Sequence, residues 1–157
     1  MDADPIRTLL PWKHPFLMID RMIECVPHRH IVTAKNVTGD DAMADGECAR
    51  GVDFPDVLVV EGMSQSAALL FQLTYGRISD GRVPLLGSLK AAWKAPARPG
   101  DIIIYRVAAL KMTSTMGIFH GVAHVADAAI AEAELAFAVT ASASGTGAGP
   151  TAAGAGA

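Results

Sequence analysis

One long apolar segment stands out in the hydrophobic pattern of the chain, between Val57 and Tyr75. The segment is long enough to cross a membrane. However, Glu61, Gln65 and Gln72 interrupt it, and a carboxylate and two amides are costly in the hydrocarbon core of a bilayer. The pattern therefore predicts a helix that is buried inside a protein core, and no membrane span.

Most of the remaining chain alternates between apolar and polar residues, which is typical of strands. After a short N-terminal helix, strands are predicted at residues 16–26, 30–37, 85–94, 102–112, 117–127 and 129–140. The last is rich in Ala and Glu but alternates better than it follows a helical period, so we expect an edge or outer strand. The order predicts an α+β domain, in which an antiparallel sheet wraps around one central helix.

Composition is consistent with one globular domain. The chain has 157 residues, of which 51% are hydrophobic and 18% charged, enough for a sizeable core. Residues 142–157 carry only small or turn-forming side chains, which bury too little surface to offset the entropy of an ordered chain. We therefore expect a single domain at residues 1–141 and a disordered tail at 142–157.

Charge and motif content exclude several classes of function. The net charge is −3 without a basic run, which argues against nucleic acid or an anionic membrane as a partner. The two cysteines are too few for a disulfide framework, and the N-terminus lacks a signal-peptide pattern, so we expect a cytoplasmic protein. His120 and His124 share a face of a predicted strand but lack a third ligand. With no phosphate-binding loop either, no metal and no cofactor are expected.

Five motifs, in this order, resemble the 3-hydroxyacyl-acyl carrier protein dehydratases of the FabZ/FabA type. They are LPWKHPFLMIDRMIECVP, VTAKNVT, FPDVLVVEGMSQSAALL, KAAWKAPARPGDIIIYRVAALK and GIFHGVAHVADAAIAEAELAFA, and they cover roughly residues 9–140. The resemblance implies the hotdog fold and a dimer. It also implies an acyl substrate that is carried by an acyl carrier protein, in fatty acid, polyketide or polyene synthesis.

The catalytic positions of this family are only partly present. Glu61 matches the family's helix carboxylate and Gln65 matches its helix Gln, whereas Glu47 stands where the family places a His. Asp56 stands where a Gly normally opens the helix. The resemblance thus supports the fold more directly than it supports the usual activity.

The resemblance implies that dehydration uses two catalytic groups: a base that removes the α-proton, and an acid that protonates the departing β-hydroxyl. Glu61 is the expected acid, and the alternative is a structural carboxylate that is bonded to a neighbouring donor. Glu47 replaces the His as base only if burial raises its pKa; otherwise it is a solvated loop residue. Backbone N–H groups at the helix start would hold the thioester carbonyl. The residues expected to bind or support the substrate are Gln65, Asp56, Val57, Trp93 and Gly117.

The dimer implied by the resemblance leaves two mechanisms open. In a homodimer, Glu47 of one copy would face Glu61 of the other, and the two carboxylates would share a proton or repel each other. In a heterodimer with a His-bearing, dehydratase-like partner, Glu61 would complete one intact site. Two other classes of function also remain: a non-catalytic acyl-binding or scaffolding subunit, and a hotdog acyl-thioesterase in which Glu61 activates water.

Overall fold

The computed structural model of the chain describes residues 3–39, 41, 53–78 and 82–141, without the side chains of residues 3–5 and 141. Within these ranges the elements are α1 (Ala3–Leu9), β1 (Arg21–Val26), β2 (His30–Asn36), α2 (Asp56–Tyr75), β3 (Arg82–Trp93), β4 (Ile102–Met112), β5 (Met116–Val125) and β6 (Ala128–Ala141). Their order confirms the predicted short helix, hairpin, long helix and four strands. The predicted tail at 142–157 lies outside the described residues and stays a prediction.

All six strands form one antiparallel sheet in the order β1-β2-β4-β5-β6-β3. The prediction that residues 129–140 form an edge or outer strand is wrong, because β6 pairs with β5 on one side and with β3 on the other. Alternation of apolar and polar residues indicates that the two faces of a strand have different environments. It does not indicate whether the strand pairs with one neighbouring strand or with two. The edges of the sheet are β1 and β3.

The segment before β1 departs from the predicted strand at 16–26, since β1 begins only at Arg21. Residues 10–20, which we call the N-terminal strap, are bonded to α2 through Gln65. The Gln65 side chain bonds to the backbone N–H of Met18 and to the backbone carbonyl of Phe16. These two backbone groups are satisfied by a side chain rather than by a neighbouring strand, and the strap reaches β2 only at its last residue, where the Asp20 N–H donates to the Ala34 carbonyl at 2.8 Å.

Another side of α2 packs across the sheet, against β2, β4, β5 and β6. The Ser66 hydroxyl lies 2.7 Å from that of Thr33 on β2. A Cβ on Gly62 would collide with the ring of Tyr105 on β4, so the glycine permits this close approach. Because both sides of α2 are covered, the helix is apolar almost all round.

By length and composition alone, α2 would qualify as a membrane span, and 67% of its apolar window is buried inside the structure. The sheet and the strap provide that burial. The prediction of a helix inside a protein core is therefore confirmed.

Candidate active site

The start of α2 is tied to the segment that follows β3. The Phe54 N–H donates to the carbonyl of Ala97 at 2.7 Å, and the Trp93 indole N–H donates to the carbonyl of Asp56 at 3.0 Å. Asp56 is the first residue of the helix, where a carboxylate interacts favourably with the positive end of the helix dipole. These bonds fix the helix N-terminus relative to the sheet edge.

An open cleft of about 480 Å³ lies beside this helix start, lined by residues 53–56 and 93–96. Trp93 forms part of its wall and is 47% exposed, so this ring is not in the core. Asp56 and Trp93, both predicted to support a substrate, are thus brought together in one cleft. Val57 follows directly on the helix.

Glu61 lies one turn further along α2, on the same side of the helix as Val57 and Gln65. Its carboxylate Oε1 accepts a hydrogen bond of 2.9 Å from the Gln65 amide. Burial raises the pKa of Glu61, and the bond from Gln65, which lowers it, only partly offsets that effect. No cation neutralises the carboxylate in the described structure, so Glu61 keeps its proton to a higher pH than an ordinary glutamate.

Gln65 is completely buried, and its amide is engaged at both ends. The oxygen accepts a 2.8 Å bond from the N–H of Met18, while the nitrogen donates to the Phe16 carbonyl at 2.6 Å and to Glu61. The residue predicted to support Glu61 therefore connects that carboxylate to the strap and fixes its position.

Two apolar side chains near Glu61 are exposed. Val57, one turn before Glu61, is 67% exposed, and Phe16, whose carbonyl is bonded to Gln65, is 66% exposed. Apolar side chains left in water beside a half-buried acid are typical of a surface that binds a ligand or another protein.

Gly117 lies elsewhere in the fold. The Phe119 ring occupies the space of the missing Cβ and stacks on Phe137, which in turn packs against Phe71 of α2. Phe71 is about 15 Å along the helix from Glu61, at 1.5 Å per residue. The structure does not bring Gly117 together with Glu61, and its role in substrate binding stays a prediction.

Glu47, the second predicted catalytic residue, lies outside the described residues, as does Cys48. The proposed contact between Glu47 of one copy and Glu61 of the other in a homodimer stays a prediction.

A second carboxylate near α2 was not singled out from the sequence. Lys35 on β2 is only 5% exposed, and its ammonium donates to both carboxylate oxygens of Asp41, at 2.9 and 3.0 Å. Burial alone would raise the pKa of Asp41, but the bonds from Lys35 and Thr38 and the Lys35 charge outweigh it and lower the pKa. The sequence feature that could have indicated this ion pair is the lysine in the middle of an apolar strand, because a buried lysine needs an acidic partner.

Tyr105 is the other group that sequence reasoning missed. Its ring is completely buried against Gly62, and its hydroxyl has no hydrogen-bond partner among the described residues. Burial, reinforced by the charges of Asp20, Asp41 and Glu61, raises its pKa far above the ordinary value. The phenol is therefore neutral at any physiological pH. The sequence feature that could have indicated this contact is Gly62, because a glycine inside a long helix leaves room for a large side chain from a neighbouring element.

The two histidines of β5 lie on the outer face of the sheet. His120 bonds to Glu132 at 2.8 Å, and the buried Nδ1 of His124 has no hydrogen-bond partner among the residues with described positions. Across the described part of the chain, no three His, Cys, Asp or Glu side chains are placed to hold a metal ion.

Comparison with known families identifies a FabA-like domain over residues 10–134. The 3-hydroxyacyl-[acyl-carrier-protein] dehydratase FabZ of Acidiphilium cryptum is 34% identical over 134 residues, which cover 85% of this chain and 81% of that protein. FabZ of Symbiobacterium thermophilum is 35% identical over 128 residues, covering 80% of this chain and 87% of that protein.

Solved structures show the same fold at low sequence identity. The dehydratase heterocomplex ApeI:P from Xenorhabdus doucetiae aligns with a TM-score of 0.69 and 13% identity, over 88% of this chain and 90% of that chain. A hypothetical thioesterase with coenzyme A from Streptococcus pneumoniae aligns with a TM-score of 0.59 and 11% identity, over 78% of this chain and 86% of that chain. These likenesses and the sheet around α2 confirm the expected hotdog fold.

Proposed function

Because this chain belongs to the FabA-like family, we propose that it is a subunit of a 3-hydroxyacyl-acyl carrier protein dehydratase in which Glu61 is the acid. The observation that carries the proposal is the half-buried Glu61 carboxyl, which has a raised pKa, a bond to Gln65 and no cationic partner among the residues that the structure describes. A carboxyl that burial keeps protonated to a higher pH than usual is suited to donate a proton to a leaving hydroxyl.

The proposed reaction is an elimination. A base takes the α-proton, the electrons of that C–H bond form the double bond, and the C–O bond at the β-carbon breaks. Glu61 supplies the proton that turns the departing hydroxyl into water. The enoyl thioester remains, and a proton from solvent restores Glu61 once the base has released its own.

Binding of the thioester is assigned to the start of α2. The backbone N–H groups of Asp56 and Val57 lie in the first turn of a long helix, where the dipole favours developing negative charge on a carbonyl oxygen. Trp93 bonds to the Asp56 carbonyl and walls the cleft. The Asp56 carboxylate would oppose an enolate close by, which agrees with a site altered from the family pattern.

A second subunit would supply the base. The edge strand β3 is twelve residues long, and four of its apolar side chains, those of Leu85, Leu86, Leu89 and Trp93, are 45–55% exposed. Such an edge is suited to pair with a strand of another chain. In this proposal the partner is a dehydratase-like protein that carries the family His, and the site built on Glu47 is impaired. The proposal also includes an acyl carrier protein as the donor of substrate and the cytoplasm as the place of reaction.

Replacing Glu61 tests the role of the acid. In the complex with a co-expressed His-bearing partner, E61Q should lower kcat for enoyl thioester formation by on the order of 10²–10⁴-fold. The control E134Q changes an exposed carboxylate on β6 and should leave kcat unchanged. Unchanged turnover in E61Q would instead favour the acyl-binding, scaffolding alternative, and thioester hydrolysis without an enoyl product would favour the thioesterase.

Replacing an edge residue tests the partner. L89K places a charge on β3 and should abolish co-purification of the two chains, whereas L110K, on an equally apolar exposed site of β4, should not. Full dehydratase activity of this chain alone would overturn the need for a His-bearing partner.

A further inference from the structure

A groove of about 310 Å³ lies on the outer face of the sheet, the face that does not contact α2, between β1, β2, β4 and β5. Thr33 of β2 bonds to Ser66 of α2, and Tyr105 of β4 packs against Gly62. Because side chains alternate along a strand, the residue that follows Tyr105 points away from the helix. The groove is therefore separate from Glu61 and from the cleft at the helix start.

Arg106 stands at the centre of this groove. The register of the sheet pairs it with Val32 of β2 and with Val122 of β5, so that an apolar side chain flanks it on each neighbouring strand. Arg106 is exposed, and it has no hydrogen bond or ion pair with a residue that the structure describes. All five donors of its guanidinium remain for a ligand.

Three histidines that line the groove surround Arg106 at diagonal positions of the sheet. The next outward residue of β4 is Ala108, which pairs with His30 of β2 and with His120 of β5. His124 is diagonal to Arg106 on its other side. Diagonal neighbours of this kind are about 7–8 Å apart, which is within reach of long side chains. Imidazoles thus approach the guanidinium from three directions.

Carboxylates orient two of these imidazoles. The Nε2 of His30 lies 3.0 Å from a carboxylate oxygen of Glu24, and the Nε2 of His120 lies 2.8 Å from one of Glu132. Each contact uses one ring nitrogen and leaves Nδ1 to a ligand. Lys94 also donates to Glu132, at 3.2 Å, and so compensates part of that negative charge.

The third imidazole has an unsatisfied atom. The Nδ1 of His124 is buried and has no hydrogen-bond partner in the described part of the chain. Buried polar atoms nearly always have a partner, and where the protein supplies none, an ordered water or a bound ion can do so. This atom is an independent indication that the groove takes up a polar group.

The charges around the groove have a positive excess, although the chain as a whole carries a net charge of −3. Four cations and three carboxylates surround the three imidazoles, and each imidazole that takes up a proton adds a further positive charge. The groups are Arg21 and Glu24 of β1, His30 of β2, Arg106 of β4, His120 and His124 of β5, Glu132 and Glu134 of β6, Lys90 of β3 and Lys94 just beyond it.

We propose that this groove binds a phosphate monoester, with the phosphate on Arg106 and on the imidazoles of His30 and His120. A phosphate presents three oxygens to donors that approach from several sides, and a guanidinium binds two of them in parallel. At ~30 Å³ for each water-sized group, the groove holds roughly ten such groups, which leaves room for an organic part over the valines. The site goes beyond the dehydration proposed at Glu61 and does not depend on it.

Isothermal titration of the 157-residue chain with phenyl phosphate, inorganic phosphate and phenol tests the site. Phenyl phosphate should bind more tightly than inorganic phosphate, and phenol should give no measurable heat of binding. R106Q should weaken phenyl phosphate on the order of tenfold. R82Q, which removes an exposed arginine at the start of β3, is the matched control and should change nothing.

Absence of phenyl phosphate binding, or equal binding in R106Q and wild type, would overturn the proposal. Inorganic phosphate that binds as tightly as phenyl phosphate would overturn the monoester as the ligand and favour free phosphate. A108L fills the space between His30 and His120 without changing a charge, and it should weaken phenyl phosphate as well.

Sulfate tests the imidazoles, because it keeps both of its charges across the pH range in which histidine takes up a proton. Sulfate should bind several-fold more tightly at about pH 6 than at about pH 8. H30Q/H120Q should largely remove this difference, whereas H28N, in the exposed turn between β1 and β2, should retain it. Equal sulfate binding at the two pH values in wild type would overturn the role of the imidazoles. Since no turnover is measured, none of these results bears on the dehydratase proposal, and failure of the E61Q test would leave this site intact.

Discussion

Two carboxylates whose charges act on Tyr105, those of Glu61 and Asp41, illustrate how neighbours set the role of an acid. Both are partly removed from water, and both raise the pKa of Tyr105. Asp41 has a buried ammonium 2.9 Å away, whereas the partner of Glu61 within the described part of the chain is the amide of Gln65. The pKa of Asp41 is consequently lowered and that of Glu61 raised.

The difference separates a structural acid from a candidate catalytic one. A fully bonded, ionised Asp41 joins β2 to the chain that follows it, and it has no proton to give near neutral pH. Glu61, whose pKa is raised by burial, keeps its proton available to a substrate to a higher pH than an ordinary glutamate does. The following predictions change one member of this comparison at a time.

The largest effect is expected from breaking the buried ion pair. K35M leaves Asp41 partly buried without its cation and should lower the free energy of unfolding by about 3 kcal/mol. Urea denaturation at one fixed protein concentration measures the change, because dimer formation would make stability depend on concentration. K94M is the control: its pair with Glu132 is exposed, and the expected loss is below about 1 kcal/mol. Equal losses in the two variants would contradict the structural role of Lys35.

Removing the amide beside Glu61 should have the next largest effect. Q65L leaves the Met18 N–H and the Phe16 carbonyl without their partner, and the expected loss of stability is about 2 kcal/mol. The pKa of Glu61 should also rise further, because the bond that lowers it is gone. An NMR titration of the Glu61 carboxyl carbon measures that rise. Q72L, which loses one bond to the Ile78 N–H, should destabilise the protein less and leave the Glu61 pKa unchanged.

The Tyr105 hydroxyl, which both carboxylates influence, should be dispensable. Y105F removes a buried polar group that has no described partner, so the free energy of unfolding should stay the same or rise by about 1 kcal/mol. Y75F is the matched control, since its hydroxyl donates to the Met112 carbonyl at 3.1 Å, and it should lose about 0.5 kcal/mol. A loss in Y105F larger than that in Y75F would show that the hydroxyl has a stabilising partner.

The smallest effect is a difference in pH dependence. The pKa of Glu61 is raised on folding, so its favourable contribution is present at acidic pH and is lost as the pH rises through the folded-state pKa. The pKa of Asp41 is lowered, so its contribution is present above the unfolded-state pKa and is lost as the pH falls through the folded-state pKa.

Thermal unfolding over a pH series compares the two groups. The difference in melting temperature between E61Q and wild type should shift in favour of E61Q as the pH rises from acidic to neutral. The difference between D41N and wild type should shift in favour of wild type over the same pH range. If both differences shifted in the same direction with pH, the proposed contrast between a raised pKa at Glu61 and a lowered pKa at Asp41 would be wrong.

Much of the site could be predicted from its own short segment. The helix carboxylate, the Gln one turn later and the acidic helix start all belong to one run of residues, so spacing alone places Glu61 and Gln65 on one side of α2. The contact of Trp93 with Asp56, in contrast, joins residues far apart in the chain. Spacing says nothing about such a contact, and the family resemblance alone suggested that Trp93 supports the site.

The sequence by itself determined the α+β class, the buried helix and the number of strands, because hydrophobic period and turn residues act locally. Only the tertiary structure decided that β6 lies inside the sheet, that the strap binds Gln65 and that Lys35 neutralises Asp41. Each of these depends on which distant segments meet. The two acids differ for the same reason: the pKa of a carboxylate is set by the burial and the charges around it, and folding brings those together.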